Sequence, residues 1–345
     1  MNYYFIIINM YRIQDTDNIS QALGHHGVVC IHKEPSSFTS DHHISLAEEL
    51  GEIEVTKFFR SVPSYPNIAL VEKKSSQTTA IGEFLHSDHT YNLSPAMGAV
   101  LVARKLPKKG GDTIFVDMRA AYDNLPESVK IRIENLRAYH SCQHTFREQT
   151  IIGKILQKSP YINSKQTTTV LHPIVITHPV SGRKSLFVNP VFTIGIEGLA
   201  SKESKALLET LYNSAIQPKH LIRFSWKLGD VLIWDNRSVW HLAVNDYQGQ
   251  HRIMHRISIN GCQLRDGLGR YRSEVVDFPF DPLALKPGLT PFDLPYIKLL
   301  HNTTNKCIQN VEGPPIIPWW HQRPSLLGDM FLRMASFVGI NFSKL

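Results

Sequence analysis

The 345-residue chain is predicted to be mainly β, a double-sheet jelly roll with helices packed outside it. Three observations predict this. Segments rich in β-branched and aromatic residues, bounded by Gly, Pro, Asn and Asp, recur through residues 96–262. Few stretches show helical spacing, and no internal repeat is visible. A hydrophobic content of 42% over this length can bury a large core, in one domain with an appendage or in two smaller ones.

Taken in order, "MNYYFIIINMYRI" reads as a first strand. It lacks the basic start and small-residue cleavage site of a signal peptide. The first eighty residues mix strands and short helices, the clearest being a helix over 44–53 with Leu46, Leu50 and Ile53 at helical spacing. Residues 96–118 read as strand, Pro/Gly turn, strand. A helix is expected over 124–138, capped by Asn124 with Pro126 near its first turn, and with Val129, Ile133 and Leu136 on one face. Residues 172–190 form two strands around a Ser181-Gly182 hairpin turn. A helix over 201–215 places Leu207, Leu208, Leu211 and Tyr212 on one stripe. "FSWKLGDVLIWDNRSVWHLA" gives strand, Gly-Asp turn, strand and a polar loop, and residues 251–261 close as another strand. Composition shifts after Cys262, so the chain divides into a domain of residues 1–262 and a Pro-rich extension, 263–345. That extension ends in a predicted helix from Ser325, its apolar face docked on the core or on a second copy, which leaves a homo-oligomer open.

The formal net charge is +7, but basic residues are scattered rather than striped. That argues against a nucleic-acid face and suits a small anionic substrate drawn in by long-range attraction. Cys30, Cys142, Cys262 and Cys307 form no C-x-x-C pair, so neither a zinc ribbon nor a disulfide scaffold is expected. The economical reading is a reduced, cytoplasmic chain without a membrane span. "GHHG" at 24–27 and "DHH" at 41–43 are taken as surface loops.

The chemistry centres on "EFLHSDHTYN", residues 83–92. With 17 histidines present, a His-x-Asp match by itself says little, since roughly one is expected by chance. On a strand, however, His86 and Asp88 would point to the same face. His241, 155 residues later (241 − 86), supplies a third ligand. Two histidines and one carboxylate hold Fe(II) on one side and leave three positions open. Ten residues intervene before Arg252, which opens the next predicted strand. If 2-oxoglutarate chelated that metal, its far carboxylate would need a fixed cation, and an Arg fork supplies one. Thr113, beside the tight Gly110-Gly111 turn, could donate a hydroxyl hydrogen bond to the same co-substrate.

These residues, in "HSD", "PKKGGDTIF", "HPIVITHPVSGRKSLFVN" and "WDNRSVWHLAVNDYQGQHRIMHR", resemble the TauD/TfdA family of Fe(II)/2-oxoglutarate dioxygenases across residues 15–262. Four separated blocks agree in order and spacing. The resemblance implies a double-stranded β-helix of the cupin-like jelly-roll kind. It implies iron held by His86, Asp88 and His241, 2-oxoglutarate held by Thr113 and Arg252, and Arg256 meeting an acidic group of the substrate. His89 becomes a pocket wall residue near that substrate. Oxygen is the second co-substrate, succinate and carbon dioxide are products, and the substrate is hydroxylated, desaturated or cleaved at a C–heteroatom bond. Taurine enzymes have an Asn four positions before the first iron ligand; Gly82 stands here, which points away from taurine itself. The carboxylate of Asp88 also argues against a halogenase. Two rival readings remain: a zinc hydrolase on the same three ligands, and a non-catalytic jelly-roll binding protein. A dicarboxylate clamp at Thr113 and Arg252 has no use in the first, and an intact ligand set argues against the second.

Overall fold

The computed structural model describes residues 11–12, 18–55, 59–78, 80, 82–142 and 169–276. Of the first predicted strand it describes Tyr11–Arg12 (β1). The predicted helix from Ser325 lies outside the described residues.

The N-terminal part alternates helix and strand: α1 (Ile19–His26), β2 (Val28–His32), α2 (Ser40–Leu50), β3 (Ile53–Glu54), β4 (Ser61–Val62) and β5 (Tyr65–Lys73). The helix expected over 44–53 therefore begins earlier. Thr39 caps α2, accepting from the His42 backbone N–H. His43, Leu46 and Ala47 form its buried stripe, and the ring of His43 lies 3.1 Å from the Val100 carbonyl. "DHH" is thus the first turn of a helix rather than a surface loop, and one of its histidines is core. "GHHG" is likewise a helix end: Asn18 caps α1, and Gly27 closes it in the left-handed conformation at φ 76°.

The middle of the chain supplies β6 (Gly98–Lys105), β7 (Thr113–Asp117), α3 (Met118–Asp123), α4 (Glu127–Ile133), β8 (Arg137–Ser141), β9 (Thr169–Pro173), β10 (Val175–Thr177), β11 (Lys184–Leu186) and β12 (Thr193–Ile196). One long helix was expected over 124–138. Instead Asn124 ends α3, and Pro126 occupies the N-cap position of α4. Proline offers no N–H and turns its predecessor away from helical geometry, so the helix starts only at Glu127, and it stops at Ile133, short of the expected 138. The hairpin at Ser181-Gly182 forms as expected, with Val175–Thr177 antiparallel to Lys184–Leu186 and Gly182 at φ 67°.

The last described part holds α5 (Ser201–Ala215), β13 (Leu221–Phe224), β14 (Asp230–Asp235), β15 (Val239–Ala243), β16 (Arg252–Ile259), β17 (Arg265–Asp266) and β18 (Glu274–Val276). The chain stays in the fold past Cys262. Strand β17 pairs with β10, and β18 with β9.

An eight-stranded sheet runs β1-β2-β14-β6-β16-β5-β4, with β3 added along β16. A three-stranded sheet, β13-β7-β15, faces it. Between them lies a core of Phe115, Phe224 and Val239 from one side and Cys30, Leu101, Trp234 and Met254 from the other. Two sheets closing face to face on alternate side chains make the double-stranded β-helix. A second core buries α1 and α2 against the large sheet through Leu23, Leu46, Ile257 and Ile259. A third packs α3 and α5 behind the small sheet through Val116, Leu208, Leu211 and Trp240. Among the described residues, no helix is long and apolar enough to cross a membrane.

Candidate active site

Strand alternation places the chemistry between the two large faces. On β15, Trp240 and Leu242 point outward into the third core, so His241 points into the space between the sheets, its ring 4.7 Å from that of Trp234. His86 is not on a strand, contrary to the sequence expectation. It makes a single antiparallel bridge to His241, with His86 N–H to His241 O at 3.1 Å and the reverse bond at 2.8 Å. Asp88 opens the turn that follows. The same-face argument therefore reached the right juxtaposition through the wrong local geometry. A tertiary bridge, not the pleat, brings the three side chains together.

Their ligand atoms lie within 4.8 Å of one another. His86 Nε2 is 3.5 Å from Asp88 Oδ1, and His241 Nε2 is 3.7 Å from Asp88 Oδ2. The Nδ1 of His86 sits 2.7 Å from the Phe84 carbonyl, to which it can donate, leaving Nε2 as the free lone pair. Burial pushes the imidazole of His241 well below its usual value, toward the neutral form a metal ligand requires. Burial would raise the carboxyl of Asp88. The Arg256 guanidinium and then the two histidines outweigh that and hold it well below the usual carboxylate range. Arg256 Nη2 comes within 2.7 Å of Asp88 Oδ2, yet the geometry makes no hydrogen bond, and Oδ2 is a buried acceptor without one. Two imidazoles, an ionised carboxylate and no thiolate form a donor set that fits iron.

Thr113, Arg252 and Arg256 stand on inward positions of the two facing sheets, Arg256 in contact with Asp88 and the other two linked by Trp226. On β16, residues 252, 254 and 256 share the inward face with Met254 of the central core. Thr113 is buried on β7, directly across from Ala243 on β15. The indole N–H of Trp226 donates to Thr113 Oγ1 at 2.9 Å, which leaves the hydroxyl proton free to point elsewhere. Arg252 lies 5.7 Å over the Trp226 ring, and its Nε and Nη2 are buried without a hydrogen-bond partner. His89 adopts φ 51° and sits 2.8 Å from Glu54 Oε2, with Tyr91 beside it. Gly82 is close to the centre too: a side chain there would meet the ring of His86.

Some contributors escaped the sequence reading. Asn236 accepts from the Asp88 backbone N–H at 3.2 Å and from the Trp234 indole at 3.1 Å, so it ties the metal-site turn to β14. Ser87 donates to the Val239 carbonyl at 3.0 Å from the same turn. Asn236 stands inside "WDNR", where an Asx residue after a strand reads only as a turn former. Trp226 carries no local signal of its role.

Comparison with known proteins agrees with this geometry. Residues 9–258 match the family described as taurine catabolism dioxygenase TauD, TfdA family. An alkylsulfatase of Acinetobacter baylyi is 33% identical over 227 residues, which is 62% of this chain and 71% of that protein. The alpha-ketoglutarate-dependent 2,4-dichlorophenoxyacetate dioxygenase of a Burkholderia species is 42% identical over 158 residues, 45% of this chain and 50% of that one. The crystal structure of a taurine dioxygenase from Burkholderia xenovorans superposes with a TM-score of 0.60 at 26% identity, covering 77% of this chain and 89% of that one. With the family matched over most of its length and the jelly roll shared, the chain belongs to the TauD/TfdA family of 2-oxoglutarate-dependent dioxygenases.

Proposed function

We propose that the chain is an Fe(II)- and 2-oxoglutarate-dependent dioxygenase that hydroxylates a small organic anion at a C–H bond beside a heteroatom. The single observation that carries the co-substrate assignment is the Arg252 guanidinium, buried on the inward face of the strand that also carries Arg256, with Nε and Nη2 unsatisfied. A buried charge with open donors is costly unless an anion meets it. A chelated 2-oxoglutarate would present such an anion at the right end.

In this reading His86 and His241 offer Nε2, and Asp88 its carboxylate, to the iron. Thr113 and Arg252 would hold the co-substrate, Arg252 by its far carboxylate. When bound, iron and 2-oxoglutarate supply the oxidising power of O2, with succinate and carbon dioxide released. The protein orients the substrate's C–H bond toward that centre and excludes water. Arg256, whose Nη2 is 2.7 Å from Asp88 Oδ2, would be the cation that meets an anionic substrate, with His89 as a wall residue. The similar proteins are named for an alkyl sulfate, an aryloxyacetate and a sulfonate, all anions with a C–O or C–S bond beside a C–H group. Hydroxylation at such a carbon would collapse to a carbonyl and break that bond. Gly82 and the flanking Phe192 and Tyr91 rings favour a carbon skeleton bulkier than taurine. The unmet guanidinium disfavours the zinc hydrolase reading, which has no second anion for it. A reducing, cytoplasmic setting suits an Fe(II) centre.

The test is anaerobic titration of the protein with Fe(II) and 2-oxoglutarate. A visible metal-to-ligand charge-transfer band should develop, and His241→Ala should abolish it. Iron binding without any band would remove the co-substrate assignment. A panel of alkyl sulfates, aryloxyacetates and sulfonates, scored by succinate release, then addresses the substrate.

A further inference from the structure

Lys73 ends β5 directly across from Arg252 on β16, so the two side chains leave the same interior face of the large sheet. Val71, two positions earlier on that face, packs into the central core. Lys73 is 4% exposed, and its Nζ makes no hydrogen bond. It lies 4.6 Å above the ring of Tyr247, whose hydroxyl in turn reaches the Arg252 guanidinium. The carboxylate of Glu83 attracts the ammonium from a distance, while its Oε2 accepts from Asn245 Nδ2 at 2.7 Å. Two neighbouring cations, both buried and both with unused donors, bracket one aromatic ring. Each has lost its water and keeps an open donor, so an anion between them would satisfy both.

We propose that Lys73 is a second co-substrate-binding cation, which together with Arg252 selects a 2-oxo acid that carries a far carboxylate. The proposal rests on the co-substrate reading of Arg252 given above. A carboxylate has two oxygens and about four acceptor sites, enough for the Arg252 fork and one ammonium together. The Tyr247 ring holds the ammonium in place by cation–π attraction when the site is empty.

Binding, rather than turnover, provides the test. The full-length protein is loaded with Mn(II), and dissociation constants are measured by calorimetry for 2-oxoglutarate and for 2-oxovalerate. The second ligand has the same chain length with a methyl group in place of the far carboxylate. Lys73→Met keeps the apolar stem and removes the charge. It should weaken 2-oxoglutarate about tenfold or more and leave 2-oxovalerate unchanged. Lys73→Arg, which keeps a cation and guards against a folding failure of the first variant, should retain preference for the dicarboxylate. Arg252→Ala serves as the control for the underlying reading. If Arg252→Ala loses the preference and Lys73→Met does not, Lys73 has no part in binding while the co-substrate site stands. If Arg252→Ala weakens both ligands alike, the co-substrate reading itself falls. An equal loss for both ligands in Lys73→Met would make the lysine a packing residue. Recovery of tight 2-oxoglutarate binding in Lys73→Met/Glu83→Gln would make it merely the counter-charge of Glu83. Either result overturns the proposal.

Discussion

Asp88 stands where opposing electrostatic effects meet. Burial works against its charge, and Arg256, His241 and His86 restore it. Asp88→Asn keeps the shape and removes the charge, so it should weaken Fe(II) or Mn(II) binding by at least about a hundredfold in an equilibrium metal titration. The neighbouring Arg256 would then face a neutral amide, so some loss of stability should accompany it. Trp226 offers a finer test. Its N–H fills one lone pair of Thr113 Oγ1 and so sets which way the hydroxyl proton points. Trp226→Phe keeps the ring beneath Arg252 but removes that donor. A loss of about 1 kcal/mol, or roughly fivefold in 2-oxoglutarate affinity with metal affinity intact, is expected. Unchanged affinity would mean that Thr113 is oriented by something else.

Strands β6, β14 and β16 carry the framework, because β6 lies between the other two in the large sheet. Gly98 begins β6 opposite Asp235, and a side chain at that position would strike the carbonyl oxygen of Trp234. Gly98→Ala must therefore push β6 from β14, moving both Trp234 and the Asn236 turn that holds Asp88. The expected cost is about 3 kcal/mol or more, read as a lowered denaturation midpoint. A midpoint within experimental error of the parent would show that the two strands can part locally. Element by element, the chain was most legible where periodicity is unbroken. The helix over Ser201–Ala215 and the strand opening at Arg252 match their expected starts. The helix expected over 124–138 is the instructive miss: Pro126 stands at its start, but the helix stops at Ile133 and strand β8 takes over at Arg137.

Across the whole molecule, three buried histidines set an acid limit on folding. Burial lowers His43 to about 3 and His172 to about 4, and pushes His140 well below its usual value. His43 joins α2 to β6 at the Val100 carbonyl. His140 and His172 pack edge to face behind the metal-site turn, where they meet Thr90 and the Asn92 carbonyl. In the unfolded chain each would titrate near its ordinary value of 6.5. Below that pH the unfolded state takes up protons that the folded state refuses, so stability falls as pH drops. The window runs from about 6.5 down to the folded values, and each histidine contributes up to about 1.4 kcal/mol per pH unit. Chemical denaturation at pH 7, 6 and 5 should show a progressively lower midpoint, and His43→Asn should flatten that slope. A midpoint independent of pH across this range would contradict the buried neutral state.

The separated blocks around His86, Thr113, His241 and Arg252 carried both the family and the jelly-roll expectation, because residue type and spacing are properties of the chain alone. Other features depended on packing across long separations. The His86–His241 bridge, the clasp of Asn236 on Asp88 and the Trp226 bond to Thr113 join residues from distant parts of the chain, and no local pattern encodes such partners. The burial of His43 and the unmet donors of Lys73 and Arg252 are of the same kind. A side chain's charge is written in its residue type. Whether that charge meets water, a partner or neither depends on which surfaces close over it.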